Sequence, residues 1–132
     1  RLLEHIGLGY VKLNQSLTTL SQGEAQRLKL ARELLQTKGK HNLYLLDEPT
    51  VGLHMQDVEN FIKLLQELVE EGHSILVIEH NEQLLAACDY LIELGPQGGV
   101  HGGQLIAQGS PLALLHQNES VIAPYLKRFI KD

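Results

Sequence analysis

Two adjacent carboxylates, Asp47 and Glu48, follow a short apolar run in the segment NLYLLDEPT. Acids at the carboxyl end of a strand lie where open α/β sheets bind their ligands. Burying neighbouring carboxylates is costly unless a metal ion or hydrogen-bond donors compensate for the lost water. In a phosphate-handling enzyme, the first acid would help to bind Mg²⁺ and the second would contact the attacking water. The alternative is that both are ordinary loop acids, one of them capping the next helix.

The segment TLSQGEAQRLKLA contains a second candidate, a binding site for an anion. Ser21 and Glu24 have the spacing of a capping box, in which both side chains bond to the first backbone N–H groups of a helix. The free N–H groups and the hydroxyl at such a helix start can also hold a phosphate. A helix cap without any ligand is the alternative interpretation.

His80 follows a second apolar run, in the segment VIEHN. An imidazole at the end of a strand could hydrogen-bond a phosphate oxygen or a water molecule, whereas a structural or simply exposed histidine is the alternative. The seven histidines show no metal-binding spacing, because the chain has no H-E-x-x-H motif and no histidine pair at i and i+4.

The phosphate-binding loop G-x-x-x-x-G-K-[ST] that should accompany such acids does not occur in this sequence. The one Gly-Lys pair, Gly39-Lys40, is followed by His41, and Leu34 stands where the first glycine of the loop should be. The chain therefore has residues suited to activating water and binding Mg²⁺, but it has no loop to hold a nucleotide. We expect that loop to lie before Arg1.

Composition limits the classes of protein that fit this sequence. A chain of 132 residues with 43% hydrophobic content forms one domain, or part of one, with a packed core. No apolar run reaches the length that spans a membrane. The single cysteine, Cys88, excludes an internal disulfide and a zinc site built on cysteines. The net charge of −5 argues against autonomous nucleic-acid binding, and we expect a cytoplasmic protein.

Hydrophobic periodicity predicts an α/β layer with a mixed sheet. The predicted strands are Leu43–Asp47, Ser74–Glu79, Tyr90–Leu94 and Gln104–Ala107. The predicted helices are Ser21 to Gly39, residues 57–71, Glu82–Cys88, Pro111–His116 and Ser120–Ile130. A strand, a long helix and a strand form a right-handed βαβ unit, so the first two strands should be parallel. Their apolar residues predict that both strands are buried. The short segment GPQGGVHGG should join the last two strands as an antiparallel hairpin.

These elements together resemble the ATP-binding cassette (ABC) family. Leu20–Glu24 resembles the family signature, Leu43–Glu48 the Walker B strand, Pro49–His54 the D-loop, and His80 the switch histidine. The resemblance implies that residues 1–132 are the C-terminal part of an ABC ATPase core, with Walker A missing upstream. The implied fold is a mostly parallel sheet flanked by helices, with a C-terminal antiparallel hairpin.

Within that family, four segments resemble the second ATPase module of the excinuclease A subunits of nucleotide excision repair. These segments are GLGYVKLNQSLTTLSQGEAQRLKLA, DEPTVGLH, VIEHN and IELGPQGG. Transporter cassettes usually have Ser-Ala-Leu-Asp where this chain has Val51-Gly52-Leu53-His54. The resemblance implies part of an ATP hydrolase that recognises DNA damage. The ATPase subunit of a membrane transporter and a short, non-catalytic regulatory homologue are the alternatives.

The resemblance also implies roles for individual residues. Asp47 would hold Mg²⁺ through water, Glu48 would orient or deprotonate the attacking water, and His80 would contact the γ-phosphate. Four residues of the signature would reach a nucleotide held by a different module: Ser21, Gln22, Gly23 and Glu24. Gln22 departs from the family pattern, which usually has glycine at that position, where backbone approaches phosphate closely.

The implied cofactors are ATP and Mg²⁺, with no zinc in this segment. The implied partners are the other ABC module of the same protein, a homodimer partner and the excinuclease B subunit. Damaged DNA would be bound through regions outside this segment, and no membrane would be involved. Hydrolysis by the segment alone is not expected, because it lacks the loop that supplies most phosphate contacts.

Overall fold

A computed structural model describes residues 22–36, 39–95 and 102–130 of the chain. These residues form two compact units that divide between His80 and Asn81. None of the helices within the described ranges is long and apolar enough to cross a membrane.

The first unit contains two helices and two parallel strands. Its elements are α1 (Gln22–Gln36), β1 (Leu43–Asp47), α2 (Met55–Glu70) and β2 (Ser74–Ile78). Strands β1 and β2 pair in parallel along their whole length, from Leu43 opposite Ser74 to Asp47 opposite Ile78. The predicted parallel pairing is confirmed, and the bounds of β1 match the prediction. Because the strands are in register, the residues that follow them leave the sheet at the same edge.

The core of the first unit is built mainly by one face of α2. Apolar residues at helical spacing along this helix are buried: Val58, Phe61, Leu64, Leu65 and Leu68. Leu30 and Ala31 of α1 and Leu46 of β1 are also buried. This apolar stripe is what fixes α2, because an amphipathic helix is stable when its apolar face is removed from water.

The prediction that both strands are fully buried is wrong. Leu43 and Leu45 of β1 and Leu76 and Ile78 of β2 are exposed, whereas Leu46 is buried. Side chains of successive strand residues point to opposite faces of a sheet. A continuous apolar run therefore places half of its residues on each face, and one face of this sheet is exposed within the described residues.

The second unit contains an antiparallel strand pair and several short helices. Its elements are α3 (Glu82–Ala86), β3 (Leu91–Gly95), β4 (Gln104–Gly109), α4 (Pro111–Leu114) and α5 (Ala123–Leu126), followed by a 3₁₀ turn over Lys127–Phe129. Leu91 pairs with Gly109, and the register shifts between Glu93 and Leu94. The predicted antiparallel pair is confirmed. A cluster of buried residues forms the core: Leu85, Leu91, Ala107, Leu114, Ala123 and Leu126.

Two other expectations differ from the structure. The described strands form two separate two-stranded sheets rather than one mixed sheet. The predicted helix over Ser120–Ile130 begins only at Ala123, and the N–H groups of Val121 and Ile122 before it donate to the carboxylate of Glu93. The predicted start of the first helix at Ser21 lies outside the described residues.

Candidate active site at the end of the parallel strands

Asp47 and Glu48 lie at the carboxyl end of β1, and both side chains are exposed. Asp47 is the last residue of the strand, opposite Ile78 of β2. The backbone N–H of Glu48 donates to the carbonyl oxygen of Ile78 at 2.7 Å, which extends the pairing by one bond beyond the strand. The two acids are therefore held at the sheet edge by regular backbone pairing.

Glu48 has a left-handed backbone conformation, with φ of 47°. Among the described residues it is the one non-glycine with a positive φ. This conformation is unfavourable for a residue with a β-carbon, and such residues persist where the surrounding structure holds them. The chain then turns, since the N–H of Val51 donates to the carbonyl of Glu48 at 3.3 Å.

His80 lies beside Glu48, although the two residues are far apart in sequence. Its Nε2 is 3.6 Å from Oε1 of Glu48, and the two side chains are 85% and 49% exposed. This separation is longer than a hydrogen bond, and the contact is an ion pair only when the imidazole is protonated. The parallel register of β1 and β2 produces this arrangement, because it brings both strand ends to one edge.

A less exposed layer of contacts surrounds these two residues. The hydroxyl of Thr50 donates to Oε1 of Glu79 at 2.5 Å. The guanidinium of Arg27, on α1, donates to the carbonyl of Pro49 at 2.7 Å. Sequence reasoning gave these three side chains no part in the site. The available signal was position in the sequence, because Thr50 lies two residues after Glu48 and Glu79 immediately precedes His80. Nothing local indicated that Arg27 is buried.

The structure describes only part of the predicted signature segment. Ser21 lies outside the described residues. Gln22 begins α1, and Gly23 and Glu24 follow in its first turn. The first N–H groups of an α-helix have no partner within the helix, so the backbone here has the donors that an anion site requires.

Asp47 and Glu48, at the sheet edge, are suited to supply part of the ligand set of a Mg²⁺ ion. No group of three or more histidine, cysteine, aspartate or glutamate side chains suited to a metal occurs in the described part of the chain. Mg²⁺ commonly takes one or two carboxylates and completes its octahedral shell with water and substrate phosphates. An exposed carboxylate such as Asp47 is compatible with that mode of binding, and a fully protein-built site is not present among these residues.

Comparison with known proteins places these elements in a family. A family profile described as ABC transporter matches residues 1–51. UvrABC system protein A from Aquifex aeolicus (strain VF5) is 49% identical over 131 residues, which is 99% of this chain. The chain belongs to the UvrA family of ABC proteins. It spans 14% of the length of that relative.

Solved structures agree with the UvrA assignment. UvrA2 from Deinococcus radiodurans matches 98% of this chain and 16% of its own length, with 45% identity and a TM-score of 0.87. CbiO1 from Clostridium perfringens, part of the ABC transporter complex cbiONQ, matches 96% of the chain with 26% identity and a TM-score of 0.57. Both comparisons support an ABC ATPase fold, and the UvrA-type structure is much more similar than the transporter one.

Proposed function

We propose that this UvrA-family segment supplies the water-activating side of an ATP-hydrolysing site. The observation that carries the proposal is the approach of Glu48 and His80 to 3.6 Å at the exposed edge of the parallel strands. In the proposed mechanism, the carboxylate of Glu48 accepts a hydrogen bond from the attacking water and orients or deprotonates it. His80 contacts the γ-phosphate or the same water.

Catalysis of phosphoryl transfer depends mainly on positioning and on electrostatic stabilisation of the phosphate oxygens. Glu48 is suited to the first task, because its backbone is fixed by Ile78 while its side chain remains accessible to water. Asp47 would hold Mg²⁺ through water, and the ion would neutralise charge on the phosphates of ATP. No zinc site is proposed in this segment.

We propose that the start of α1 serves a second nucleotide, held by another module. The hydroxyl of Ser21 and the backbone N–H groups at Gly23 and Glu24 are the groups that would contact its γ-phosphate. Gln22 would either point away from the nucleotide or donate its side-chain amide to it. The module could be the other ABC module of the same protein or that of a homodimer partner.

The wider function that we propose is recognition of DNA damage in nucleotide excision repair, by a longer protein. The support is the UvrABC system protein A relatives, which match nearly the whole of this chain. The same proposal includes the excinuclease B subunit as a partner, damaged DNA bound outside this segment, and a cytoplasmic location. The transporter alternative is supported by the CbiO1 likeness, at lower identity.

A chimera would test the proposal. Residues 1–132 replace the matching segment of the Aquifex aeolicus UvrABC system protein A, and ATP turnover and nucleotide binding are measured separately. We expect the chimera to hydrolyse ATP, and Glu48→Gln to bind ATP while turning over slowly. The 132-residue chain alone should show no turnover. Turnover by the Glu48→Gln chimera at the unmodified rate would contradict the catalytic role.

A further inference from the structure

We infer that Thr50 and Glu79 are a pair of positioning residues for the reaction that Glu48 and His80 carry out. The inference rests on the proposed function, because it explains what holds Glu48 and His80 at the separation that the proposed reaction uses. Neither member of the pair is placed in contact with nucleotide. Their effect on the reaction would pass through the backbone that carries Glu48 and His80.

The bond between the pair is short and partly buried. The Thr50 hydroxyl donates to Oε1 of Glu79 at 2.5 Å, and Thr50 is only 7% exposed. The other oxygen of Glu79, Oε2, is buried as well. Hydrogen bonds to an ionised carboxylate are shorter and stronger than neutral ones, and a low local dielectric increases their strength. This bond can therefore hold two chain segments at a fixed distance.

The pair is placed where such a constraint acts on both reactive side chains. Thr50 lies two residues after Glu48, and Glu79 immediately precedes His80. The backbone N–H of Glu48 donates to the carbonyl oxygen of Ile78, and this bond joins the same two segments two residues before Thr50 and one residue before Glu79. Together the two bonds join the loop after β1 to the two residues that precede His80.

Glu48 needs such support because its backbone conformation is unfavourable. At φ of 47° the residue would relax towards commoner conformations if the loop were released. Arg27 holds the same loop from α1 through the Pro49 carbonyl, and it is 2% exposed. The loop between Glu48 and Thr50 is thus fixed to a helix and to the neighbouring strand end.

Turnover of the chimera tests the catalytic part of the inference. Thr50→Val keeps the shape of the side chain and removes the hydroxyl, so we expect kcat to fall by about tenfold to a hundredfold. KM for ATP should change by less than about threefold, because an interaction that acts only on positioning affects kcat. Thr50→Ser restores the donor and should recover kcat to within about twofold of the unmodified chimera.

Glu79→Gln is the matched variant on the other side of the bond. It keeps the acceptor oxygen for Thr50 and loses the charge, so its kcat should lie between those of Thr50→Val and the unmodified chimera. Equal kcat values for Thr50→Val and the unmodified chimera would overturn the inference. A loss of kcat that Thr50→Ser does not recover would also overturn it, because the hydroxyl would then not be responsible.

Hydrogen exchange in the 132-residue chain tests the positioning part without any ATP hydrolysis. Thr50→Val should accelerate exchange of the Glu48 N–H by about tenfold or more, while Thr50→Ser leaves it protected. The amide of Leu46, in the middle of β1, is the internal reference. Unchanged exchange at Glu48 would overturn the inference even if the Glu48→Gln chimera behaved as proposed. Faster exchange at Glu48, with normal turnover by Glu48→Gln, would instead overturn the proposed function.

Discussion

Glu48 directly follows β1 in the first unit and Glu93 lies within β3 in the second, and their carboxylates have different surroundings. The carboxylate of Glu48 is half exposed, and His80 lies 3.6 Å away. The carboxylate of Glu93 accepts hydrogen bonds from the Ser120 hydroxyl at 2.6 Å and from the N–H groups of Val121 and Ile122. One acid remains accessible to a reactant, and the other is used to hold the chain.

The difference in exposure is what the proposed catalytic role of Glu48 requires. Glu93 satisfies three donors at the start of α5, so its contribution is to stability. Glu48 instead has an unfavourable backbone conformation, which costs stability, and its side chain is half exposed. The same residue type should therefore respond to substitution in opposite ways in the two units.

The largest expected effect is a difference in kcat between variants of the two glutamates. In the chimera, Glu48→Gln should lower kcat by roughly two to four orders of magnitude, because general-base and water-positioning contributions are lost. Glu93→Gln should leave kcat within about twofold, since among the described residues its carboxylate bonds to the segment before α5. Steady-state turnover together with ATP binding measures both. Equal losses from the two variants would remove the proposed distinction.

Core substitutions should give the next largest effect and show which strands each core supports. Leu68→Ala and Leu126→Ala each remove a fully buried side chain, and each should lower the free energy of unfolding by about 3 kcal/mol. Hydrogen exchange should accelerate most in β1 and β2 for the first variant and in β3 and β4 for the second. Leu112→Ala, at an exposed position of α4, is the control. The reverse pattern of exchange would contradict the core assignments.

Removing the acceptor at Glu93 should destabilise the chain more moderately. Glu93→Ala should lower the free energy of unfolding by about 2 kcal/mol, because three donors lose a charged acceptor. Glu93→Gln should cost about half as much, since one acceptor oxygen remains in place. Denaturant unfolding measures both variants. An Ala variant as stable as the Gln variant would show that the carboxylate is not needed to hold residues 120–122.

The smallest expected effect has the opposite sign. Glu48→Gly should raise the free energy of unfolding by about 0.5 kcal/mol, because relief of the left-handed conformation exceeds the extra entropy of glycine in the unfolded chain. The same denaturant measurement applies, and Glu79→Ala is a useful contrast because it removes the acceptor of Thr50 and should destabilise. A Gly variant less stable than the unmodified chain would mean that Glu48 is not strained.

The sequence by itself determined the order of the elements and the positions of the acids and the histidine. The five residues of β1 could be predicted because an apolar run ends in two charged residues and a proline. The helix α2 could be predicted from apolar residues at helical spacing, although its start is two residues earlier than expected. The parallel and antiparallel pairings followed from the lengths of the connections. All of these signals are local, so a single sequence contains them.

Only the tertiary structure decided which groups meet. The contact between Thr50 and Glu79 and that between Glu93 and Ser120 join residues far apart in sequence, so no local pattern indicates them. Glu48 has a φ of 47°, and its N–H bonds to Ile78 of β2, which is distant in the sequence. The exposure of Leu43 and Leu45 depends on what covers each face of a sheet, which apolar composition does not specify. Burial and long-range hydrogen bonds are properties of the packed chain, and hydrophobic periodicity predicts only which residues can take part in them.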